Sequence, residues 1–209
     1  MAKIKVGHFV IGSVQTNCYF VYDEDTKDAI VVDPADQGEE IYKTLLKNGF
    51  QVAAIFLTHG HFDHILGCQT LRKAAGVKVY ASAAEKEICE DTAKNLSASV
   101  GYGCTIKANH YLQDGEEITV AGMTCKMILT PGHTSGSCCY YFEEAGVLIS
   151  GDTLFEGSVG RTDFPTGSMG TLVRSIKEKL MVLPENVVVY PGHGNTTTIG
   201  EEKNSNPFI

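Results

Sequence analysis

No stretch of this 209-residue chain approaches the roughly 18 uninterrupted apolar residues of a membrane-spanning helix. That absence argues against a membrane protein. The opening Met1-Ala2-Lys3-Ile4-Lys5-Val6-Gly7-His8 has no apolar run after its lysines, which argues against an export signal. Positive charge is also scarce: 17 Lys and Arg stand against 25 Asp and Glu, a formal net charge of −8. A general nucleic-acid surface needs clustered basic residues, so nucleic acid is set aside as a partner. A small anionic substrate stays admissible through a local basic pocket. Tryptophan is missing, and six prolines against 22 glycines suggest tight turns rather than a flexible linker. The seven cysteines (18, 68, 89, 104, 125, 138 and 139) are odd in number and contain no CxxC pair. A reduced, cytoplasmic setting fits them, with most acting as small buried hydrophobes.

What is present is an ordinary globular profile, 43% hydrophobic and 20% charged, on a length that fits a single domain over 1–209. The patterning predicts strands at 3–11, 17–22, 29–32, 52–57, 77–80, 118–120, 123–129, 138–142, 147–150 and 187–190. Helical spacing predicts helices at 38–48, 65–75, 83–89 and 169–181, the last with Leu172, Ile176 and Leu180 on one face. The stretch 91–110 has too little periodicity to place. Two strand-rich halves with helices outside imply an α/β fold of four layers, α/β/β/α.

The chemistry concentrates in Thr58-His59-Gly60-His61-Phe62-Asp63-His64, directly after the 52–57 strand. Three imidazoles and a carboxylate within six residues suit zinc, iron or manganese, and Gly60 is expected to let the chain turn so that alternate residues converge. His133 in Pro131-Gly132-His133, Asp152 in Ser150-Gly151-Asp152 and His193 in Pro191-Gly192-His193 each follow a predicted strand. One Gly-His pair alone carries little, but five of the seven histidines fall in these places. His8 and His110 belong to no motif. In Cys138-Cys139 one side chain is expected to face the core, with no sign of redox chemistry.

This set, spread over nearly the whole chain, resembles the HxHxDH…H…D…H signature of the metallo-β-lactamase superfamily. The resemblance implies an αββα sandwich with a two-metal site at one edge between its sheets. It implies that His59, His61 and His133 hold one metal, that Asp63, His64 and His193 hold the other, and that Asp152 bridges them. Asp33, in Val31-Val32-Asp33-Pro34, would orient the ligand loop from behind. The stretches Gly151-Asp152-Thr153-Leu154-Phe155 and Gly157-Ser158-Val159-Gly160-Arg161 are similar to glyoxalase II-like hydroxyacylglutathione hydrolases. Two departures matter: only sixteen residues follow His193, where that group has a helical glutathione-binding domain, and position 163 is Asp where it has tyrosine.

The expected activity is therefore binuclear, metal-dependent thioester hydrolysis of a small molecule. Two divalent ions, zinc foremost with iron or manganese compatible, would share a hydroxide as nucleophile. Asp63 would orient that nucleophile as well as bind metal. Arg161 is the candidate for a substrate carboxylate, its planar fork suiting bidentate pairing, with a salt bridge to Asp163 as the plainer alternative. Rival expectations on the same fold are a mononuclear-iron persulfide dioxygenase, to which Gly160-Arg161-Thr162-Asp163-Phe164 is similar, and a lactonase.

Overall fold

The computed structural model describes residues 2–209. Its first sheet holds β1 (Ile4–Ile11), β2 (Thr16–Asp23), β3 (Asp28–Val32), β4 (Gln51–Phe56), β5 (Lys78–Ser82) and β6 (His110–Leu112), in that spatial order. β1 to β3 run antiparallel and β3 to β6 parallel. Parallel neighbours need crossovers. These are supplied by α1 (Gly38–Lys47), by the pair α2 (Phe62–Ile65) and α3 (Cys68–Ala75), and by a helical turn leading into α4 (Lys86–Glu90).

The second sheet begins with β7 (Glu117–Val120), β8 (Met123–Leu129), β9 (Cys138–Phe142) and β10 (Val147–Gly151). A separate hairpin, β11 (Leu154–Phe155) with β12 (Ser158–Val159), and α5 (Met169–Ser175) intervene. β13 (Val188–Pro191) then joins β10 in parallel, β14 (Thr197–Thr198) closes that edge, and α6 (Ile199–Ser205) follows.

Alternating side chains sort the core into layers. Tyr19, Val21, Ile30, Val32 and Phe56 from the first sheet meet Met123, Met127, Tyr140, Phe142 and Ile149 from the second. The opposite face of the first sheet, with Cys18, Val31 and Ile55, is covered by Ile41 and Leu45 of α1 and Leu71 of α3. The opposite face of the second sheet, with Cys139, Leu148 and Val189, is covered by Leu172, Ile176, Leu180 and Ile199. The expected α/β/β/α sandwich is the observed fold. Truncating one such buried Leu or Phe to Ala typically removes about 2–5 kcal/mol of stability. Cys138 and Cys139 are both fully buried, one on each face of the second sheet.

Several expected elements differ. The helix over 65–75 is broken, because Gly67 donates its N–H to Pro34 O (2.8 Å) and packs its Cα against Asp36. The helix over 169–181 widens after Ser175 into a π-helical turn, with Met181 N–H bonded to Ile176 O. The short strands β6, β11, β12 and β14 and helix α6 had no predicted counterpart. Within 91–109 the backbone is irregular and held by side chains: Asn95 Nδ2 and Ser97 Oγ both donate to Cys104 O. Among the described residues, no helix is long and apolar enough to cross a membrane.

Candidate metal centre

The seven proposed ligands stand just beyond the C-terminal ends of four strands: β4 (His59, His61, Asp63, His64), β8 (His133), β10 (Asp152) and β13 (His193). The two sheets are joined at this end. Asn17 N–H donates to Gly192 O, Asn17 Nδ2 to Pro191 O and Gly194 O, and Tyr19 and Tyr140 hydroxyls to Pro191 O and Leu57 O. These bonds fix the distance between the His59–His64 loop and the loops of the second sheet.

Three imidazoles converge at one point. His133 Nε2 lies 3.2 Å from His59 Nε2 and 2.9 Å from His61 Nδ1. The outer nitrogens decide the tautomers. His133 Nδ1–H donates to Arg161 O (2.7 Å), and His59 Nδ1 rests on Thr58 Oγ1 (3.1 Å), whose own proton goes to Asp33 Oδ2 (2.6 Å). The inner Nε2 atoms of His59 and His133 therefore present lone pairs to one another. Burial, with the neighbouring imidazoles, holds His59 well below the usual histidine range and His61 down to about 3. Three buried imidazoles whose inner nitrogens converge this closely are suited to a cation between them.

A second cluster lies beside the first. His64 Nδ1–H donates to Asp33 Oδ2 (2.9 Å), which turns Nε2 inward, 3.4 Å from Asp152 Oδ1 and 3.7 Å from Asp63 Oδ2. His193 Nε2 lies 3.4 Å from Asp63 Oδ2 and 3.6 Å from Asp152 Oδ2. Burial opposes a charge on His64, but the carboxylates of Asp152, Asp63 and Asp33 outweigh it and push its pKa up to about 10. Burial would likewise raise Asp63, yet His64 and His193 hold it well below the usual carboxylate range. A pocket with such a field draws in positive charge.

Asp152 stands between the clusters, since its Oδ2 also lies 3.6 Å from His133 Nε2. His61 Nε2, His64 Nε2 and Asp152 Oδ1 are buried with no hydrogen-bond partner. Orphaned buried donors and acceptors are rare in folded proteins. His64 Nε2 and Asp152 Oδ1 face each other inside the pocket, and a mixed nitrogen and carboxylate donor set fits divalent zinc, iron or manganese. Gly192 is needed for close approach: a Cβ there would stand 2.2 Å from Asp152 Oδ1. Gly60 does not serve as a left-handed turn. Its small size admits Cys89, whose backbone nitrogen would lie 2.9 Å from an added Cβ.

Asp33 lies behind the His59–His64 loop. It is held at φ 50°, and its carboxylate takes both the N–H and the hydroxyl of Thr58 as well as His64. Arg161 lines the cleft, but its Nε and Nη2 are both bonded to Asp163, each at 2.7 Å.

Glu85 was not singled out from the sequence. It is fully buried and ties the two ligand loops together: one oxygen accepts Gly60 N–H (2.8 Å) and the other Thr134 Oγ1–H (2.8 Å). Burial pushes its pKa up to about 7 against the pull of these donors. No motif surrounds Glu85, so its role was hidden. Glu85→Ala would strand at least two buried donors, and about 3 kcal/mol of stability should be lost. In a chain of this size that is roughly 6–12 °C in Tm. Calorimetry on Glu85→Ala and Glu85→Gln checks this; a Tm equal to wild type in the Ala variant would refute the bridge.

Comparison with known proteins agrees with the geometry. The Metallo-beta-lactamase superfamily profile matches residues 11–193. A probable metallo-hydrolase of Bacillus subtilis, YqgX, is 37% identical over 201 residues, covering 95% of this chain and 94% of that protein. The hydroxyacylglutathione hydrolase GloC of Haemophilus influenzae is 32% identical over 202 residues, covering 95% of each chain. Among solved structures, the BLEG-1 B3 metallo-beta-lactamase superposes with a TM-score of 0.92 at 39% identity, over 98% of this chain and 99% of that one. On this shared span, fold and family profile, the chain belongs to the metallo-beta-lactamase superfamily, whose metallo-hydrolase members it matches over almost its full length.

Proposed function

We propose that the chain is a binuclear metal-dependent thioester hydrolase of glyoxalase II type, acting on a small molecule. The observation that supports this most is Asp152, whose Oδ2 lies 3.6 Å from both His133 Nε2 of one donor cluster and His193 Nε2 of the other, with Oδ1 3.4 Å from His64 Nε2. In this reading His59, His61 and His133 hold one ion, Asp63, His64 and His193 the other, and Asp152 both. Zinc is the proposed ion, with iron or manganese as substitutes. A metal pair held there supplies a water of lowered pKa and an electrophile for the carbonyl oxygen. The chain's part is positional. Asp63 accepts a hydrogen bond from Thr16 Oγ1 (3.3 Å) and would orient the attacking water. Asp33 and Arg161 O fix the tautomers of His64 and His133. A thiolate leaves without acid help, so thioester cleavage requires no proton donor at the cleft. With its seven thiols free, the protein suits a reducing cytoplasm.

A second reading has a specific support. The resemblance of Gly160-Arg161-Thr162-Asp163-Phe164 to persulfide dioxygenases implies one iron held by His59, His133 and Asp152, and His133 Nε2 lies 3.2 Å from His59 Nε2 and 3.6 Å from Asp152 Oδ2. Such a set suits one iron and oxygen-dependent persulfide chemistry. The test is a panel on metal-replete protein: S-lactoylglutathione, other thioesters, lactones, a β-lactam (because of the BLEG-1 likeness), and oxygen uptake with glutathione persulfide. Thioester cleavage with kcat/KM above about 10⁴ M⁻¹s⁻¹ is expected, within the usual enzyme range. Oxygen uptake with one bound iron, or turnover confined to lactones or β-lactams, would overturn the thioester reading.

A further inference from the structure

The cleft over the candidate metals has a volume of about 590 Å³, within the range of small-molecule sites. Its walls beyond the ligands are largely apolar: Val14, Phe62, Leu96, Phe155, Val159 and Phe164. Arg161 is the one cation among the lining residues, and it is not free. Its guanidinium is bonded at Nε and Nη2 to Asp163 and stacks 3.9 Å from the centre of the Phe164 ring. Asp163 thus cancels, at the mouth of the cleft, the charge that would draw a substrate anion.

Leu96 adds an independent sign. It sits at φ 67°, a left-handed conformation that disfavours leucine by roughly 1 kcal/mol or more. The residues around it are braced to hold it there. Asn95 O accepts Phe62 N–H (2.9 Å), Asn95 Oδ1 accepts Ser97 N–H (2.9 Å), and Asn95 and Ser97 are fully buried. A strained backbone is over-determined by its surroundings so that one apolar side chain enters the cleft.

We infer that the cleft selects an uncharged, apolar acyl group, with Leu96 as its wall and the Arg161–Asp163 pair excluding a carboxylate-bearing one. This rests on the hydrolase reading for turnover but not for binding, and the test separates the two. Two N-acetylcysteamine thioesters of similar length differ only at the acyl end: S-pentanoyl and S-succinyl. Their uncleavable thioether counterparts, S-pentyl and S-(3-carboxypropyl), report binding by calorimetry. Wild type should favour the pentanoyl ester by at least tenfold in kcat/KM and the pentyl thioether similarly in Kd. Asp163→Asn frees the Arg161 fork. It should raise kcat/KM for the succinyl ester relative to the pentanoyl ester three- to tenfold. Leu96→Gly relieves the left-handed backbone, so it folds, and should weaken the pentyl ligand three- to tenfold at unchanged metal content. Wild type that takes the succinyl pair as well as the pentanoyl pair would overturn the inference, as would an Asp163→Asn enzyme with unaltered preference. Turnover of neither ester, with the pentyl thioether still bound tenfold tighter, would uphold the inference and remove the thioesterase reading instead.

Discussion

Asp152→Ala should lower thioester turnover by on the order of 10³-fold, about 4 kcal/mol of barrier, and reduce bound metal from a pair to one ion at most. The expectation follows from the carboxylate's position. Asp152 Oδ1 faces His64 Nε2 at 3.4 Å, and Oδ2 faces His133 Nε2 and His193 Nε2 at 3.6 Å each. Any residue lost from one cluster alone leaves the other whole, but loss of Asp152 takes a donor from both. Oδ1 is also buried without a partner, so no internal hydrogen bond is broken by its removal. The fold should survive, and metal content and activity should fall together. Asp152→Asn retains one neutral oxygen and should stand between the two. Unchanged metal stoichiometry in the Ala variant would end the bridging assignment.

Removing the metals from the native protein should lower Tm by about 8–16 °C. An ion at a thousand times its dissociation constant contributes about 4 kcal/mol to a folded state that alone binds it. For a domain of this length each kcal/mol moves Tm by roughly 2–4 °C. Without a cation, ring nitrogens of His59 and His61 are left 3.2 and 2.9 Å from His133 Nε2, and three carboxylates crowd around His64. The measurement is a thermal melt after chelation and dialysis, with metal content assayed, and then after readdition of zinc. A Tm that ignores complete metal loss would show that the ions contribute nothing to the fold.

The His59–His64 cluster and its partners were legible because ligand chemistry survives in linear form. Each sits beside a glycine at the end of an apolar strand, and strands announce themselves by period. Asp33 was legible only through family resemblance. Glu85 was not, since its importance lies in two donors, Gly60 and Thr134, brought to it from separate loops. The stretch around Leu96 was opaque for a related reason. Asn95 and Ser97 replace the backbone ladder with side-chain bonds, and such bonds leave no period to read. For Arg161 the sequence offered both a substrate role and a salt bridge to Asp163, and only the geometry shows where the fork is engaged.

The bonds from Asn17 and Tyr19 to the Pro191–Gly194 loop span 172 to 177 residues of chain. Closing loops of that length carries an entropic penalty before any contact rewards it. On a nascent chain, Asn17 and the His59–His64 loop are made long before His193 exists. No partial product contains the whole cavity, because His193, which lines it, follows β13. A truncated chain lacking β13 would lack His193 and the Pro191–Gly194 loop to which Asn17 and Tyr19 are bonded.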